Sequence, residues 1–196
     1  MAPDTRSSGK RPRQTGKTWR SAKWWALLGG AALAVAVAAL VVSGPRAPGN
    51  STFDFPVALY QGQDLLGSSE IILSSLLGDK PIVLNFWAGL CPPCRAEMPD
   101  LQAFNDKFED RALLLGIDLG QFTGLGNTDE AKELLAELEI TYPAGFTEDA
   151  SVVRDYQVLG MPTTIFIDAN GEIFNKWTGA LNGAVLEEKT LEMLAQ

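Results

Sequence analysis

The 196-residue sequence contains no histidine and only two cysteines, Cys91 and Cys94. Without histidine it cannot perform Ser-His-Asp or Cys-His catalysis, build a His-based metal site, or use an imidazole as a general base near neutral pH. Two cysteines cannot complete a Cys₄ zinc site within one chain. Polar chemistry must therefore come from thiols, carboxylates, hydroxyls or backbone groups, and we expect no metal site and no bound cofactor.

Acidic residues are nearly absent from the first 23 residues, which carry seven Lys and Arg residues against one acid, Asp4. The rest of the chain holds nine basic and 23 acidic residues. An acidic body of this kind would be repelled by phosphate groups, so the composition argues against nucleic-acid binding.

Charge is missing altogether from residues 24–42, a run of nineteen residues that begins with Trp24 and Trp25. At about 1.5 Å per residue, a helix of this length can span the ~30 Å hydrocarbon core of a bilayer. The basic flank indicates that residues 1–23 stay in the cytoplasm and that the acidic body is translocated. We predict a cytoplasmic arm (1–23), a single-pass transmembrane anchor (24–42), a Pro/Gly/Ser-rich linker (43–51) and a folded domain (52–196).

Two other targeting signals would also place the body outside the cytosol. Small residues at Ala36, Ala38 and Ser43 would suit a signal peptidase, although the apolar run exceeds the roughly 7–15 residues of a signal peptide. An Arg- and Ser-rich, acid-poor start is typical of an organelle transit peptide. The length of the apolar run favours a retained anchor.

Two continuous apolar runs in the folded domain, 81–87 and 112–118, are typical of strands buried on both faces. Between them lies a predicted helix whose apolar stripe consists of Met98, Leu101, Phe104 and Phe108. This alternation of strands and helices predicts an α/β domain with a mixed central sheet.

The remaining elements complete the predicted order β-β-β-α-β-α-β-β-α. After the Gly-rich stretch 119–127, Thr128 is a good N-cap for a helix that runs to Glu139. Hairpin-turn residues at 169–171 indicate that the last two strands pair directly. The other strands are expected at 55–59, 70–73, 163–168 and 173–178, and the last helix at 185–195. A short helix near 151–156 is expected in addition to this order.

Cys91 and Cys94 form a C-x-x-C motif where a predicted strand is followed by a helix. Free N–H groups and the positive end of the helix dipole stabilise a thiolate there, so Cys91 is the expected exposed nucleophile and Cys94 the more buried resolving thiol. A structural disulfide, half of a shared metal site and two unrelated buried thiols are the alternatives. An extracytoplasmic pair oxidises, and a disulfide closing so short a loop adds little stability, so the motif indicates thiol–disulfide exchange.

Residues 85–99 (NFWAGLCPPCRAEMP) closely resemble the active-site segment of membrane-anchored, thioredoxin-like reductases of the TlpA/ResA type, within the redoxin (AhpC-TSA) superfamily. Residues 160–168 (GMPTTIFID), with Asn170-Gly171 next, resemble that family's cis-proline loop and hairpin. The similarity covers residues 52–195. It implies a thioredoxin-like fold in which helices flank a mixed central sheet, with an N-terminal β-hairpin extension.

The resemblance also assigns roles to residues near the motif. It implies that Pro162 is cis, that Met161 faces the disulfide, and that Glu97 adjusts the thiol pKa values and serves as a general base for Cys94. The residues expected to contact a substrate are Met161, Pro162, Trp87, Pro92 and Pro93. An ordinary trans proline at 162, an exposed acid at 97 and a core aromatic at 87 are the alternatives.

Asn85 differs from ordinary thioredoxins, and Leu90 departs from the family pattern. Asn85 stands where ordinary thioredoxins have a buried aspartate used for proton transfer, and because an amide cannot titrate, that duty is absent or passes to Glu97. Leu90 replaces the usual tryptophan ahead of the nucleophile, which removes a large flat ring from the substrate-facing surface.

Pro92 and Pro93 bear on the direction of electron flow. Neither has an N–H group to donate to a Cys91 thiolate, so this thiolate should be less stabilised than in the strongly oxidising C-P-H-C enzymes. A less stabilised reduced form has a lower reduction potential, which favours a reductase.

The sequence therefore predicts an extracytoplasmic, membrane-anchored enzyme that reduces protein disulfides. By resemblance, its electrons come from an integral membrane dithiol donor of the CcdA/DsbD kind, and its substrates are apocytochrome c or copper-site proteins, as in cytochrome c maturation. A peroxiredoxin-like peroxidase would need Pro and Thr where Leu84 and Ala88 stand before Cys91. A copper(I) carrier using both cysteines with Met98 or Met161 is the non-enzymatic alternative.

Overall fold

The computed structural model describes residues 52–196. The predicted arm (1–23), anchor (24–42) and linker (43–51) lie outside the described residues. Within residues 52–196, no helix has both the length and the apolar character needed to cross a membrane.

Seven strands form one mixed sheet in the order β2-β1-β5-β4-β3-β6-β7. Strands β3, β4 and β5 are parallel to one another, while β1, β6 and β7 each run antiparallel to their neighbours. The strands are β1 (Pro56–Gln61), β2 (Glu70–Ile72), β3 (Ile82–Trp87), β4 (Leu113–Asp118), β5 (Ala144–Phe146), β6 (Thr163–Ile167) and β7 (Ile173–Thr178). The predicted mixed central sheet is confirmed.

Helices cover both faces of this sheet. They are α1 (Gln63–Leu66), α2 (Pro92–Phe108), α3 (Gly120–Thr123), α4 (Thr128–Glu137), α5 (Ser151–Asp155) and α6 (Gly183–Leu194), with a 3₁₀ turn at Leu73–Leu76. All six residues of β3 are buried, so side chains on both faces of this strand need helices or loops packed against them. Val83 and Trp87 pack in the core cluster beneath α2, whereas Ile82, Leu84 and Phe86 belong to the cluster on the other side.

Helix α2 buries the stripe expected from its sequence, and Met98, Leu101, Phe104 and Phe108 are all inside. Its first two residues are Pro92 and Pro93. Proline suits these positions because the N–H groups of a first helical turn have no intrahelical partner. The C-x-x-C motif therefore starts the helix, as the sequence predicts.

Strand β5 is the one element of the sheet absent from the predicted order. It has only three residues and its strand character comes from its neighbours, since it pairs with β4 on one side and β1 on the other. At its centre the backbones approach so closely that a Cβ on Gly145 would lie 2.3 Å from the carbonyl oxygen of Ala58. Through β5, the N-terminal hairpin β1–β2 becomes the edge of the main sheet.

The predicted N-cap of α4 is wrong by one residue. Asn127, not Thr128, caps the helix: its side chain accepts hydrogen bonds from the N–H groups of Asp129 and Glu130. The Glu130 carboxylate in turn accepts a hydrogen bond from the Asn127 N–H at 2.7 Å, which completes a capping box. The helix also ends at Glu137 rather than Glu139.

The chain enters the described domain at the edge of the sheet where β3 begins. Thr52 donates its N–H and its hydroxyl to the carbonyl oxygen of Gly171, at 3.0 and 2.6 Å. Gly171 lies in the β6–β7 turn, and antiparallel pairing places Ile167, at the end of β6, opposite Ile82, at the start of β3. The C-x-x-C motif follows the other end of β3.

Replacing Asn127 with alanine removes the capping interactions of α4. We expect Asn127→Ala to lower the free energy of unfolding by about 1 kcal/mol, measured by urea denaturation. Thr128→Ser is the matched control, because it alters the adjacent residue but keeps its hydroxyl, and its urea midpoint should stay close to that of the wild type. Equal losses in both variants would contradict the assignment of the cap to Asn127.

Candidate active site

Cys91 and Cys94 are joined by a disulfide at the N-terminus of α2, with an S–S distance of 2.07 Å. Cys91 is the N-cap residue in extended conformation, and its sulfur accepts a hydrogen bond from the N–H of Cys94 at 3.3 Å. The positive end of the helix therefore faces the sulfur of Cys91. This environment stabilises a thiolate at Cys91 when the disulfide is reduced.

Both cysteines are more enclosed than the sequence predicts. Cys91 is only 2% exposed and Cys94 is fully buried, so the expectation of an exposed Cys91 is wrong for the disulfide form, although the order of exposure holds. Met161 is half-buried and packs against the core cluster that contains both cysteines. A partner can reach the disulfide only at the small surface that Cys91 retains.

The loop before Cys91 is fixed against the neighbouring segments. Leu90 donates its N–H to the carbonyl oxygen of Leu125 at 2.8 Å. A Cβ on Gly89 would lie 2.7 Å from the backbone nitrogen of Ala131, so α4 packs directly on this loop. The Leu90 side chain itself is 56% exposed beside the disulfide.

The Met161–Pro162 peptide bond is cis, as the resemblance implies. Pairing of Thr163 with Phe86 places this proline at the end of β3 that leads to Cys91. The carbonyl oxygen of Pro162 accepts a hydrogen bond from the N–H of Gly179 at 2.9 Å. The cis-proline loop and the C-x-x-C motif therefore meet at the same edge of the sheet.

Glu97 lies one turn after Cys94 on α2 and is only 2% exposed, which rules out the exposed acid considered from the sequence. Its Oε1 accepts a hydrogen bond from the Nδ2 of Asn85, and its Oε2 accepts one from the N–H of Leu181, both at 2.8 Å. Asn85 also donates to the Thr164 hydroxyl at 3.0 Å. A carboxyl group thus sits inside the protein, one helical turn from the disulfide.

Burial raises the pKa of Glu97 to about 7, because the ionised form loses its hydration. The hydrogen bonds from Leu181 and Asn85 oppose this rise, and the charge of Asp100 adds to it. A carboxyl group with a pKa close to neutral can both accept and return a proton under physiological conditions. The group therefore has the properties of a general acid and base.

Of the five residues expected to contact a substrate, Pro92 and Pro93 are exposed, Met161 is half-buried, and Pro162 and Trp87 are buried. The two exposed prolines lie at the start of α2. Trp87 is fully buried beneath the helix, so a partner at the surface cannot touch its side chain. The predicted substrate contact at Trp87 is therefore corrected to a core position.

Sequence reasoning missed two residues of this region. Leu159, two residues before Met161, is 89% exposed next to the cis-proline loop. Tyr142 is fully buried, and both its burial and the charge of Glu97 raise the pKa of its hydroxyl. Tyr142 belongs to no motif and lies in the segment before β5, so only the folded chain shows its proximity to Glu97.

The elevated pKa of Glu97 predicts how stability depends on pH. The folded state holds the Glu97 proton up to about pH 7, whereas the reference pKa is 4.5. Stabilisation by the protonated form is complete below pH 4.5 and is lost as the pH rises to about 7, by about 3 kcal/mol in total. We expect Glu97→Gln to remove this contribution, measured by urea denaturation of the oxidised protein at pH 5 and pH 8.

Asp106→Asn provides the control for this experiment, since it removes an exposed acid from the same helix and leaves Glu97 in place. It should lose as much stability between pH 5 and pH 8 as the wild type loses. A Glu97→Gln variant with an unchanged loss would show that Glu97 does not titrate in this range.

Curated proteins similar to this chain are thiol–disulfide oxidoreductases. The thiol-disulfide oxidoreductase ResA of Oceanobacillus iheyensis is 33% identical over 133 residues, which cover 68% of this chain and 66% of that protein. The thiol-disulfide oxidoreductase YkuV of Bacillus subtilis is 23% identical over 141 residues, which cover 72% of this chain and 95% of the relative.

Solved structures agree with the fold. A Chlorobium tepidum protein assigned as thiol:disulfide interchange protein DsbE superposes with a TM-score of 0.62 and 26% identity, covering 74% of this chain and 96% of that one. StoA of Bacillus subtilis superposes with a TM-score of 0.59 and 22% identity, covering 72% of this chain and 99% of that one, which supports the fold alone.

These comparisons confirm the prediction of a thiol–disulfide oxidoreductase with a thioredoxin-like α/β fold. The family model that matches residues 49–176 is named AhpC/TSA family. The match extends from ahead of the described domain into β7 and includes the C-x-x-C motif, the buried glutamate and the cis-proline. The chain belongs to the AhpC/TSA family.

Proposed function

We propose that this protein reduces disulfides in other proteins. The observation that carries the proposal is the disulfide at the N-terminus of α2, with the buried carboxyl of Glu97 one turn below it. This arrangement supplies a sulfur nucleophile, a second sulfur within bonding reach, and a proton acceptor with a pKa near 7. Thiol–disulfide exchange needs these three groups and no cofactor.

The reaction begins with the reduced protein. The Cys91 thiolate attacks one sulfur of the substrate disulfide, a mixed disulfide forms, and the first substrate sulfur leaves as a thiolate. Glu97 then accepts the proton of the Cys94 thiol, and the Cys94 thiolate attacks the sulfur of Cys91. The second substrate sulfur leaves and takes the proton held by Glu97. The substrate gains two electrons, and the Cys91–Cys94 disulfide is restored.

The first turn of α2 supports the reducing direction. The sulfur of Cys91 receives a hydrogen bond from the N–H of Cys94, which is the first residue of the helix that has an N–H to donate. Pro92 and Pro93 occupy the two preceding positions and have no N–H. With one amide donor in place of several, the thiolate gains less stabilisation, which lowers the reduction potential.

Substrate proteins would contact the surface around the disulfide. Pro92 and Pro93 are exposed on the first turn of α2, and Met161 is half-buried in the cis-proline loop, where Pro162 itself is buried. Leu159, two residues before Met161, adds an exposed apolar side chain. The surface is mostly apolar, so an extended segment with apolar side chains would fit beside the cis-proline loop.

We also propose that residues 24–42 anchor the chain in a membrane and that the folded domain lies on its extracytoplasmic side. The uncharged run and the basic residues before it support this topology. Reduction at this location requires electrons from across the membrane, so the proposed donor is an integral membrane dithiol protein of the CcdA/DsbD kind. The proposed substrates are the haem-site thiols of apocytochrome c or copper-site thiols of other proteins.

A redox titration of the full-length protein in detergent tests the reducing direction. Thiol alkylation across defined dithiol buffers should give a midpoint at or below roughly −230 mV for the Cys91–Cys94 couple. A Cys94→Ser variant cannot form the disulfide and should show no two-electron couple. A midpoint near about −120 mV would identify an oxidant, and a wild type without a reversible couple would contradict thiol–disulfide exchange.

A membrane-impermeant maleimide tests the proposed topology. After mild reduction of right-side-out membrane vesicles, the reagent should label the protein without lysis, because Cys91 and Cys94 are its only cysteines. A variant with serine at both positions provides the blank. Labelling that occurs only after lysis would place the folded domain on the cytoplasmic side.

A further inference from the structure

Three buried polar atoms near Glu97 have no hydrogen-bond partner among the described residues. They are the Oδ1 of Asn85, the indole Nε1 of Trp87 and the hydroxyl of Tyr142. All three side chains are fully buried. A buried polar group without a partner destabilises the folded state, so three such groups in one part of a core indicate that something other than the protein satisfies them.

These atoms lie around Gly116, at the centre of the sheet. Gly116 on β4 pairs in register with Asn85 on β3. A Cβ on Gly116 would lie 3.0 Å from Trp87 Nε1 and 3.2 Å from a ring carbon of Tyr142. Trp87 and Tyr142 therefore pack closely against Gly116, so their side chains lie in the same part of the core.

The orientation of Asn85 directs its amide oxygen towards Gly116. Its Nδ2 donates to Glu97 above the sheet and to Thr164 on β6. Strand β4, with Gly116, lies on the opposite side of β3 from β6. Because the nitrogen and oxygen of an amide point in different directions, an Nδ2 directed to β6 leaves Oδ1 on the side of β4.

The three atoms match the bonding capacity of one water molecule. Trp87 Nε1 can only donate, Asn85 Oδ1 can only accept, and the Tyr142 hydroxyl can do either. A water molecule accepts from the indole, donates to the amide oxygen, and forms its third bond with the hydroxyl. Buried waters in proteins make about three such bonds to groups that lack protein partners.

This group of residues adjoins Glu97. Asn85 holds the Glu97 carboxylate directly, and the charge of Glu97 acts on the Tyr142 hydroxyl. Asp100 on the same helix is the other titratable group that acts on Glu97, while its described hydrogen-bond donors, Asn85 and the N–H of Leu181, are neutral.

We propose that Asn85 Oδ1, Trp87 Nε1 and the Tyr142 hydroxyl bind one water molecule beside Gly116, and that this water holds the Asn85 amide in the orientation in which it donates to Glu97. Tyr142 and Trp87 are positioning residues in this arrangement, because neither touches the substrate. The catalytic consequence rests on the proposed reduction of disulfides, whereas the water site does not.

Tyr142→Phe tests the proposal by removing the hydroxyl. In the oxidised protein, the ¹³C chemical shift of the Glu97 carboxyl should titrate about one pH unit higher than in the wild type, a tenfold change in the acid dissociation constant. The shift is upward because the water loses one of its partners and holds less firmly the Asn85 amide, which donates to the ionised carboxylate. The urea midpoint should fall, because the water loses a partner. A higher urea midpoint with an unchanged Glu97 titration would show that the hydroxyl has no partner and would overturn the proposal.

Tyr156→Phe is the matched control. The Tyr156 hydroxyl donates to the carbonyl oxygen of Phe53 at 2.6 Å, and the residue belongs to the core cluster on the other side of the sheet. Its removal should lower the urea midpoint and leave the titration of Glu97 unchanged. A Glu97 shift as large as that of Tyr142→Phe would show that loss of any buried hydroxyl has this effect and would overturn the proposal.

Gly116→Ala tests whether the groups share one site, because its methyl group would fill the space next to Trp87 Nε1. It should also raise the titration midpoint of Glu97, and combining it with Tyr142→Phe should add little further shift. Independent, additive shifts would overturn the shared site. These titrations need no turnover, so they decide the proposal even if the redox titration contradicts the proposed function.

Discussion

The hydrogen-bonded burial of Glu97 is the constraint on which the redox end of this protein depends. Its two carboxylate oxygens join α2 to β3 through Asn85 and to the segment before α6 through Leu181, and Asn85 extends the connection to Thr164 on β6. A carboxyl group is costly to bury without such partners. The helix that carries both cysteines is therefore held on the sheet by a group whose pKa, raised by burial, is about 7.

Because Asn85 is an amide and does not titrate, it adds no second titrating carboxyl group next to Glu97. A second carboxyl within hydrogen-bond distance of Glu97 would couple the two titrations and raise one pKa further. Asn85 instead donates to the carboxylate and moderates the effect of burial. Judged from the sequence alone, Asn85 only replaces the proton-transfer aspartate of ordinary thioredoxins with a residue that does not titrate. In the structure, its hydrogen bond also lowers the pKa of Glu97 and so helps to set the pH at which Glu97 titrates.

The features that the sequence predicts correctly are those determined by nearby residues. The apolar runs of β3 and β4 and the stripe of α2 follow from burial and helical periodicity. Strand β5 has three residues and becomes a strand only by pairing with β1 and β4. The burial of Glu97 depends on Leu181, 84 positions away. Asn127 and Thr128 are both good caps, so local preference alone does not decide between them.

The attachment of Thr52 to the β6–β7 turn has a geometric consequence. Thr52 enters at the start of β3, while the disulfide follows its end, so the six residues of β3, about 20 Å of extended chain, separate the two points. A force transmitted through the preceding residues would act on the edge of the domain remote from the cysteines. The point where the chain enters the domain and the disulfide thus lie at opposite ends of β3.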